Sequence, residues 1–340
     1  MNRKTKDILG YSVSAAVAAV LLWVSFRGVG WAAFLQGLRS CSWGYVLAAM
    51  GVGALSFWLR GLRWRELLLP TDPSVRRRTC FNAVNISYVA NMVLPRAGEL
   101  VRCGYITRRS APDAEGRRKA SFDKVLGTVV VDRVWDTLTL LVLLAVMALT
   151  MGGRFATLAA GGELRPDAAV FRILAAAVLL GSAGLGTVRL LRDKSVVFGK
   201  IWGFVAGIFQ GMVSCLRMKR RGTFLLYTLL IWGCYWLSCW CILRSVQGRL
   251  PGFDALTAVD ALFLMVAGSV SSVVPVPGGF GAYHYIISLT LSTLYGIPAE
   301  YGLVWATLNH ESQTLAQILC GGASYAYETL RKDEFDGTVV

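Results

Sequence analysis

Asn91-Met-Val-Leu-Pro-Arg-Ala-Gly-Glu99 and Ser271-Ser-Val-Val-Pro-Val-Pro-Gly-Gly-Phe-Gly-Ala-Tyr-His284 each interrupt an apolar segment with proline, glycine and polar or ionisable residues. Neither reads as an ordinary spanning helix. Hydrocarbon offers backbone N–H and C=O groups no water, so a broken helix at membrane depth survives only where protein or a wet cavity satisfies it. Both breaks are therefore candidate binding sites.

The surrounding composition sets the class. Of 340 residues, 55% are hydrophobic and 16% charged, and the mean hydropathy is +0.54. Apolar runs of spanning length recur along the chain, which is expected to be an all-α polytopic membrane protein. Six spanning helices are expected at 8–26, 43–59, 125–150, 169–188, 222–243 and 298–325, placing both termini on one side. Between them the interrupted regions 80–103 and 257–296 read as re-entrant broken-helix hairpins, because their arms are short for a full crossing. Ile8–Phe26 follows Arg3, Lys4 and Lys6 as a signal peptide would, yet it is long and no small-residue cleavage site follows at Ser25-Phe-Arg-Gly28. It is read as a retained first helix.

The chain is expected to form a single transmembrane domain over 1–340. Each half, 8–150 and 169–325, holds two spans, a hairpin and a third span. Three crossings per half allow an inverted repeat, the arrangement in which transporters build a midplane site from discontinuous helices. Residues 196–216 carry Gly199, Gly203, Gly207 and Gly211 on one ridge suited to close helix packing. Basic residues flank this segment on both sides, so it is read as a helix at the cytoplasmic interface.

With this topology 26 of the 35 Lys and Arg residues lie on the side of the N-terminus and seven on the other, Arg96 and Arg133 falling within membrane segments. Cytoplasmic loops collect Lys and Arg, so both termini are expected in the cytoplasm of a bacterial-type inner membrane. The net charge of +15 is then a matter of orientation and of contact with anionic lipid headgroups, and nucleic acid is not an expected partner. Eight cysteines without a CxxC pair or a ligand-like spacing are expected to be buried thiols, with no disulfide framework and no metal site.

Ionisable groups inside membrane segments are costly and mark function by default. Arg96, Gly98 and Glu99 follow Pro95, where a restarting helix leaves N–H groups unpaired. Such a terminus attracts anions, and a guanidinium grips phosphate with two parallel hydrogen bonds. A local Arg96–Glu99 pair, or Arg96 reaching the interface, is the plainer alternative. Asn82, Asn85, Ser87 and Asn91 line a polar path or satisfy the hairpin backbone. Asp132, Arg133 and Asp136 put two carboxylates one turn apart, to counter a cationic headgroup, couple to protons, or pin the hairpin through a salt bridge. Gly278, Gly279 and Gly281 let backbone amides approach a ligand, or form a tight turn, before His284 opens the next arm. His310 and Glu311 fall in the middle of the last span. His310-Glu-Ser-Gln-Thr314 lacks the second histidine of HExxH, and neither a catalytic set nor a cofactor loop is recognisable. Trp43, Trp58, Trp64 and Tyr227, at run ends, are read as interface anchors.

At Asn91–Arg102 (NMVLPRAGELVR), Val131–Asp136 (VDRVWD) and Pro275–His284 (PVPGGFGAYH) the chain resembles the flippase-like family named for the transmembrane region of lysylphosphatidylglycerol synthase. The resemblance implies a carrier that moves an anionic, aminoacylated or glycosylated phospholipid between leaflets, and not an enzyme, since 340 residues leave no room for the soluble transferase domain of the bifunctional synthases. Asn91, Arg96, Gly98, Glu99, Arg102, Asp132, Arg133, Asp136, Gly278, Gly279, Gly281, His284, His310 and Glu311 are the substrate-binding candidates. The family often has an acidic residue where this chain has His284, and an arginine near His310 and Glu311, so headgroup preference is expected to differ. A non-transporting partner or regulator of a lipid-modifying transferase, and an intramembrane enzyme using His284 or His310, are the competing readings. Homo-oligomerisation is compatible with either of the first two.

Overall fold

The computed structural model describes residues 3–94, 97–159, 186–191, 194–195, 198–199, 202–203, 218–274 and 276–330. Apart from an isolated bridge between Pro112 and Arg118, the regular structure described is helical: α1 (Arg3–Phe26), α2 (Trp31–Ser40), α3 (Trp43–Leu68), α4 (Arg77–Val93), α5 (Ala97–Arg109), α6 (Phe122–Ala159), α7 (Arg221–Val246), α8 (Ala258–Val270), α9 (Ala282–Tyr295) and α10 (Ala299–Leu330). The all-helical reading holds. Helices α3 and α7 are each long and apolar enough to cross a membrane, and Tyr11–Phe26 passes the same test only together with α2, across a bend of 91°. The sequence reading missed α2, treating 27–42 as a connection. Gly28, at φ +77°, makes the turn that a side chain would resist.

Both interrupted regions are helix–break–helix hairpins. The arms α4 and α5 lie so close that a Cβ on Gly98 would overlap the Ser87 carbonyl oxygen and come within 2.8 Å of the Asn91 side chain. In the second hairpin, α8 and α9 flank two short 3₁₀ turns, Ser271–Val273 and Pro277–Gly279. The outer end of this hairpin is tied by Asp260, which the sequence reading did not single out. Its carboxylate accepts from the Thr257 N–H and hydroxyl, both at 2.7 Å, in a capping box that closes the start of α8. The other oxygen accepts from the Tyr295 hydroxyl at 3.0 Å, at the end of α9.

Contacts divide the chain into two compact units, residues 1–129 with 222–340, and residues 130–221. These boundaries do not follow the halves 8–150 and 169–325. In the first unit α10 is central, packing on α2, α3, α4 and α9. Leu303, Val304, Trp305 and Ala306 on it are fully buried. Small residues permit these approaches: a Cβ at Gly37 of α2 would lie 2.9 Å from Val304, and one at Gly321 of α10 would lie 3.0 Å from the Asn85 carbonyl oxygen of α4. Gln313 of α10 donates to the Ala49 carbonyl at 3.1 Å and to Ser238 Oγ at 2.8 Å, joining α3 and α7. Of the second unit, the second stretch of α6 is the main described part. The expected span 169–188 lies almost wholly outside the described residues, as does the interfacial helix at 196–216.

Two expectations are corrected within the first unit. Helix α3 continues to Leu68, so Arg60 and Arg63, which lie beyond the expected span 43–59, are helical and buried. Arg60 donates to the Tyr235 hydroxyl at 2.6 Å, and the Arg63 guanidinium lies 5.7 Å from the Phe224 ring centre. Trp64 is no interface anchor: it is fully buried, its Nε1–H donates to Thr128 Oγ1 at 3.0 Å, and the Arg102 guanidinium stacks 4.6 Å from its ring. Arg102, one of the substrate-binding candidates, is buried as well. The physical reason is shared: the polar end of α3 is covered by neighbouring helices. Among the described residues the cysteines are free thiols; Cys41, Cys80, Cys103 and Cys239 are buried, while Cys234, Cys241 and Cys320 are only half-buried.

The connection from α3 to α4 is organised by Asp72, whose carboxylate accepts from Ser74 N–H and Oγ, Ser110 Oγ and Ala111 N–H. Burial opposes its ionisation, but these donors, led by Ser110, outweigh it and hold the carboxyl below its ordinary value. A lowered folded pKa contributes stability that is complete above the unfolded value of about 3.9 and is lost as the pH falls through the folded value. Asp72→Ala is expected to cost about 2 kcal/mol at pH 7, because it strands the buried Ser110 hydroxyl and removes the bonds to Ser74 and Ala111. The difference in melting temperature from wild type should narrow below about pH 4; a gap that is absent at pH 7, or unchanged in acid, refutes this account.

Candidate functional site

The Pro277–Gly281 turn is the structural centre of the candidate site. Gly278, Gly279 and Gly281 have φ of +57°, +81° and +79°, conformations in which a Cβ meets the backbone, so glycine is required at three of four successive positions. The turn wedges between two elements. On one side a Cβ on Gly281 would lie 2.7 Å from the Ala18 carbonyl oxygen and 2.8 Å from the Leu22 nitrogen, so α1 packs directly on the backbone. Ala18, Val276 and Ala282 form a small apolar cluster there with Leu21 and Val274. On the other side the Pro277–Gly279 turn packs on α4, with Met92 Cγ 3.8 Å from the Cβ position of Gly278. The two breaks, 180 residues apart in sequence, are therefore neighbours in the first unit.

Beside this turn three of the sequence candidates converge. His310 Nδ1 lies 3.0 Å and His284 Nε2 3.5 Å from Glu311 Oε1, and the ligand-capable atoms of the three lie within 4.8 Å of one another. His310 Nε2 is 3.0 Å from the Gly278 carbonyl oxygen. That oxygen only accepts, which assigns the ring proton to Nε2. The positive φ of Gly279 serves the same contact: a Cβ there would come within 3.3 Å of His310 Nε2. Aromatic rings fix both imidazoles. Phe280 and Tyr283 lie 5.1 and 5.2 Å from the His310 ring, and Phe26 6.1 Å from that of His284. Asn309 donates to the Tyr283 hydroxyl. The His284 side chain is 3% exposed and that of Glu311 40%, so the cluster is buried at one end and open at the other. His284 Nδ1 is buried with no hydrogen-bond partner among the described residues.

The first break is arranged differently. The Gly98 N–H, read above as an anion donor, is taken by Asn91 Oδ1 at 2.8 Å. Asn91 thus caps the restarting helix itself, and the pair serves the hairpin. Arg96 and Pro95 lie outside the described residues, Glu99 is half-buried in the first turn of α5, and Arg102 lies on Trp64. Two polar residues of α4 bond to α10: Asn82 donates to Glu328 at 2.6 Å and Asn85 to Ser324 at 3.3 Å. Asp132, Arg133 and Asp136 belong to the second unit. There α6 sets Asp132 and Asp136 one turn apart as expected, and Asp132 is buried.

Sequence spacing had indicated no metal cluster, because the ligand-capable groups are split between the start of α9 and the middle of α10. A cavity of about 400 Å³ lies elsewhere, lined by Ser42, Tyr45, Arg244, Gln247, Gly248, Arg249 and Asp254. None of the sequence candidates lines it.

The family model described as the lysylphosphatidylglycerol synthase TM region matches residues 11–321. Among curated proteins the chain is 26% identical over 311 residues to the glycosyltransferase AglD of Haloferax volcanii, covering 82% of this chain and 48% of that protein. It is 24% identical over 266 residues to the UPF0104 membrane protein PH1989 of Pyrococcus horikoshii, covering 72% of this chain and 75% of the relative. The chain thus spans about half the length of the first of these relatives. No solved structure matches it.

Proposed function

Since the chain belongs to the family of the lysylphosphatidylglycerol synthase transmembrane region, we propose that it moves a phospholipid with an anionic, aminoacylated or glycosylated headgroup between the leaflets of a bacterial-type cytoplasmic membrane. The observation that carries this reading is the meeting of the two helix breaks beside His284, His310 and Glu311. Irregular backbone and ionisable groups within apolar helices are tolerated where they line a path for polar cargo. In this reading the headgroup travels past the Gly278–Gly281 turn while acyl chains stay in lipid, and Arg96 supplies the phosphate contact. Glu311 faces the open end of the cluster. Both termini are cytoplasmic. The corrected loops still leave most Lys and Arg residues on that side. In this reading each half crosses three times, so the halves are inverted.

Reconstituted protein is expected to move labelled anionic, aminoacyl or glycosyl phospholipid across vesicle bilayers faster than empty vesicles do. Arg96→Ala and Glu311→Ala should each slow it about tenfold, equivalent to ~1.4 kcal/mol in the barrier. Wild-type rates equal to those of empty vesicles, for all three lipid classes, defeat the proposal.

A second reading is favoured by one finding: the relative of which this chain spans about half is named a glycosyltransferase. In that reading the protein is a non-transporting membrane partner of a lipid-modifying transferase, and the Gly199–Gly211 ridge docks it. Replacing those glycines with leucine should then abolish co-purification with the transferase, while Arg96→Ala leaves it intact.

A further inference from the structure

The lone pairs around Glu311 carry an inference that does not depend on lipid movement. With the His310 proton placed on Nε2 by the Gly278 carbonyl at 3.0 Å, Nδ1 of the neutral ring presents a lone pair to Glu311 Oε1 at 3.0 Å. Two acceptors at that distance repel unless a positive charge lies between them. A proton would satisfy two atoms. Nε2 of buried His284 lies 3.5 Å from the same oxygen, and ligand atoms of the three residues fall within 4.8 Å of one another. Around a tetrahedral ion with metal–nitrogen and metal–oxygen distances of about 2.0–2.2 Å, neighbouring ligand atoms stand about 3.3–3.5 Å apart. The two imidazole–carboxylate separations, 3.0 and 3.5 Å, lie near that edge, and the ligand atoms of the two imidazoles stand within 4.8 Å of each other.

We propose that His284 Nε2, His310 Nδ1 and the Glu311 carboxylate form a binding site for a divalent transition-metal ion of the zinc class. Two imidazoles with one carboxylate suit zinc and its neighbours rather than calcium or magnesium, which take oxygen ligands. The support around His310 is that of a ligating histidine: its second nitrogen donates to a backbone carbonyl, and Phe280 and Tyr283 hold the ring plane. Three protein ligands leave one position open, on the exposed side of Glu311, for water or an oxygen of an anionic ligand.

The test uses full-length protein in detergent, stripped with chelator, exchanged into a metal-free buffer and titrated with Zn²⁺ or Co²⁺. Wild type is expected to retain one zinc per chain through desalting, and with Co²⁺ to develop the ligand-field absorption of a tetrahedral N,O site. His284→Ala, His310→Ala and Glu311→Gln should each weaken binding at least about tenfold. Gly279→Ala, which crowds His310 Nε2 and leaves the ligands in place, should weaken it less. Wild type that retains no zinc overturns the proposal whatever the variants do, and the cluster then holds a proton. Zinc retained undiminished by all three ligand variants overturns it also, by placing the ion elsewhere.

Discussion

Gly98→Ala should destabilise the protein by about 3 kcal/mol, against the usual sign of a glycine-to-alanine change inside a helix. In an exposed helix interior, alanine gains up to about 1 kcal/mol over glycine. At Gly98 the added methyl would overlap the Ser87 carbonyl oxygen and stand 2.8 Å from the Asn91 side chain. Neither can retreat cheaply, since one is backbone and the other caps the Gly98 N–H at 2.8 Å. The arms α4 and α5 must part, and α4 is the surface on which the Pro277–Gly279 turn packs. Gly104 supplies the internal comparison: it lies on the same helix, with nothing within 4 Å of its Cβ position. Gly104→Ala should be neutral or stabilising. Melting temperatures of the two variants in one detergent decide the matter, and a Gly98→Ala protein as stable as Gly104→Ala would show the hairpin to be looser than described.

Trp64→Ala should cost about 3–5 kcal/mol, the range for removing a large aromatic side chain from a packed core. The ring is fully buried, and its loss also removes the hydrogen bond to Thr128 and the face on which the Arg102 guanidinium rests. Trp64→Phe keeps a ring for Arg102 and forfeits the indole N–H, so it should fall between the two, closer to wild type. A tryptophan at the lipid headgroups would tolerate alanine with a small effect. Thermal aggregation of the three proteins separates the cases: Trp64→Ala within about 1 kcal/mol of wild type would return the residue to the interface.

Much of the helical framework was legible in the residues. Proline and glycine stop helices locally whatever surrounds them, so Pro95-Arg-Ala-Gly98 and Pro275-Val-Pro-Gly278 placed both breaks correctly. The bend between α1 and α2 was missed because 27–42 lacks a continuous apolar run of spanning length, although Gly28 and Gly30 marked it. At the site, His284, His310 and Glu311 were each recognisable as ionisable groups too deep to be idle. Their meeting was not, since no spacing rule links the first turn of one helix to the middle of the next. Gly98 and Asn91 were recognisable as a helix start, but whether their groups face a ligand or each other depends on how α5 folds back on α4.

The division follows from what each kind of force can see. The chain alone determined that it is helical, apolar and interrupted twice, because backbone groups denied water must be satisfied within a few residues, and the interruptions are the residues that cannot do so. Folding in three dimensions decided that Trp64 is covered and that two imidazoles share one carboxylate oxygen. Those outcomes arise from side chains on separate helices competing for the same space, and such contacts leave no period in the sequence.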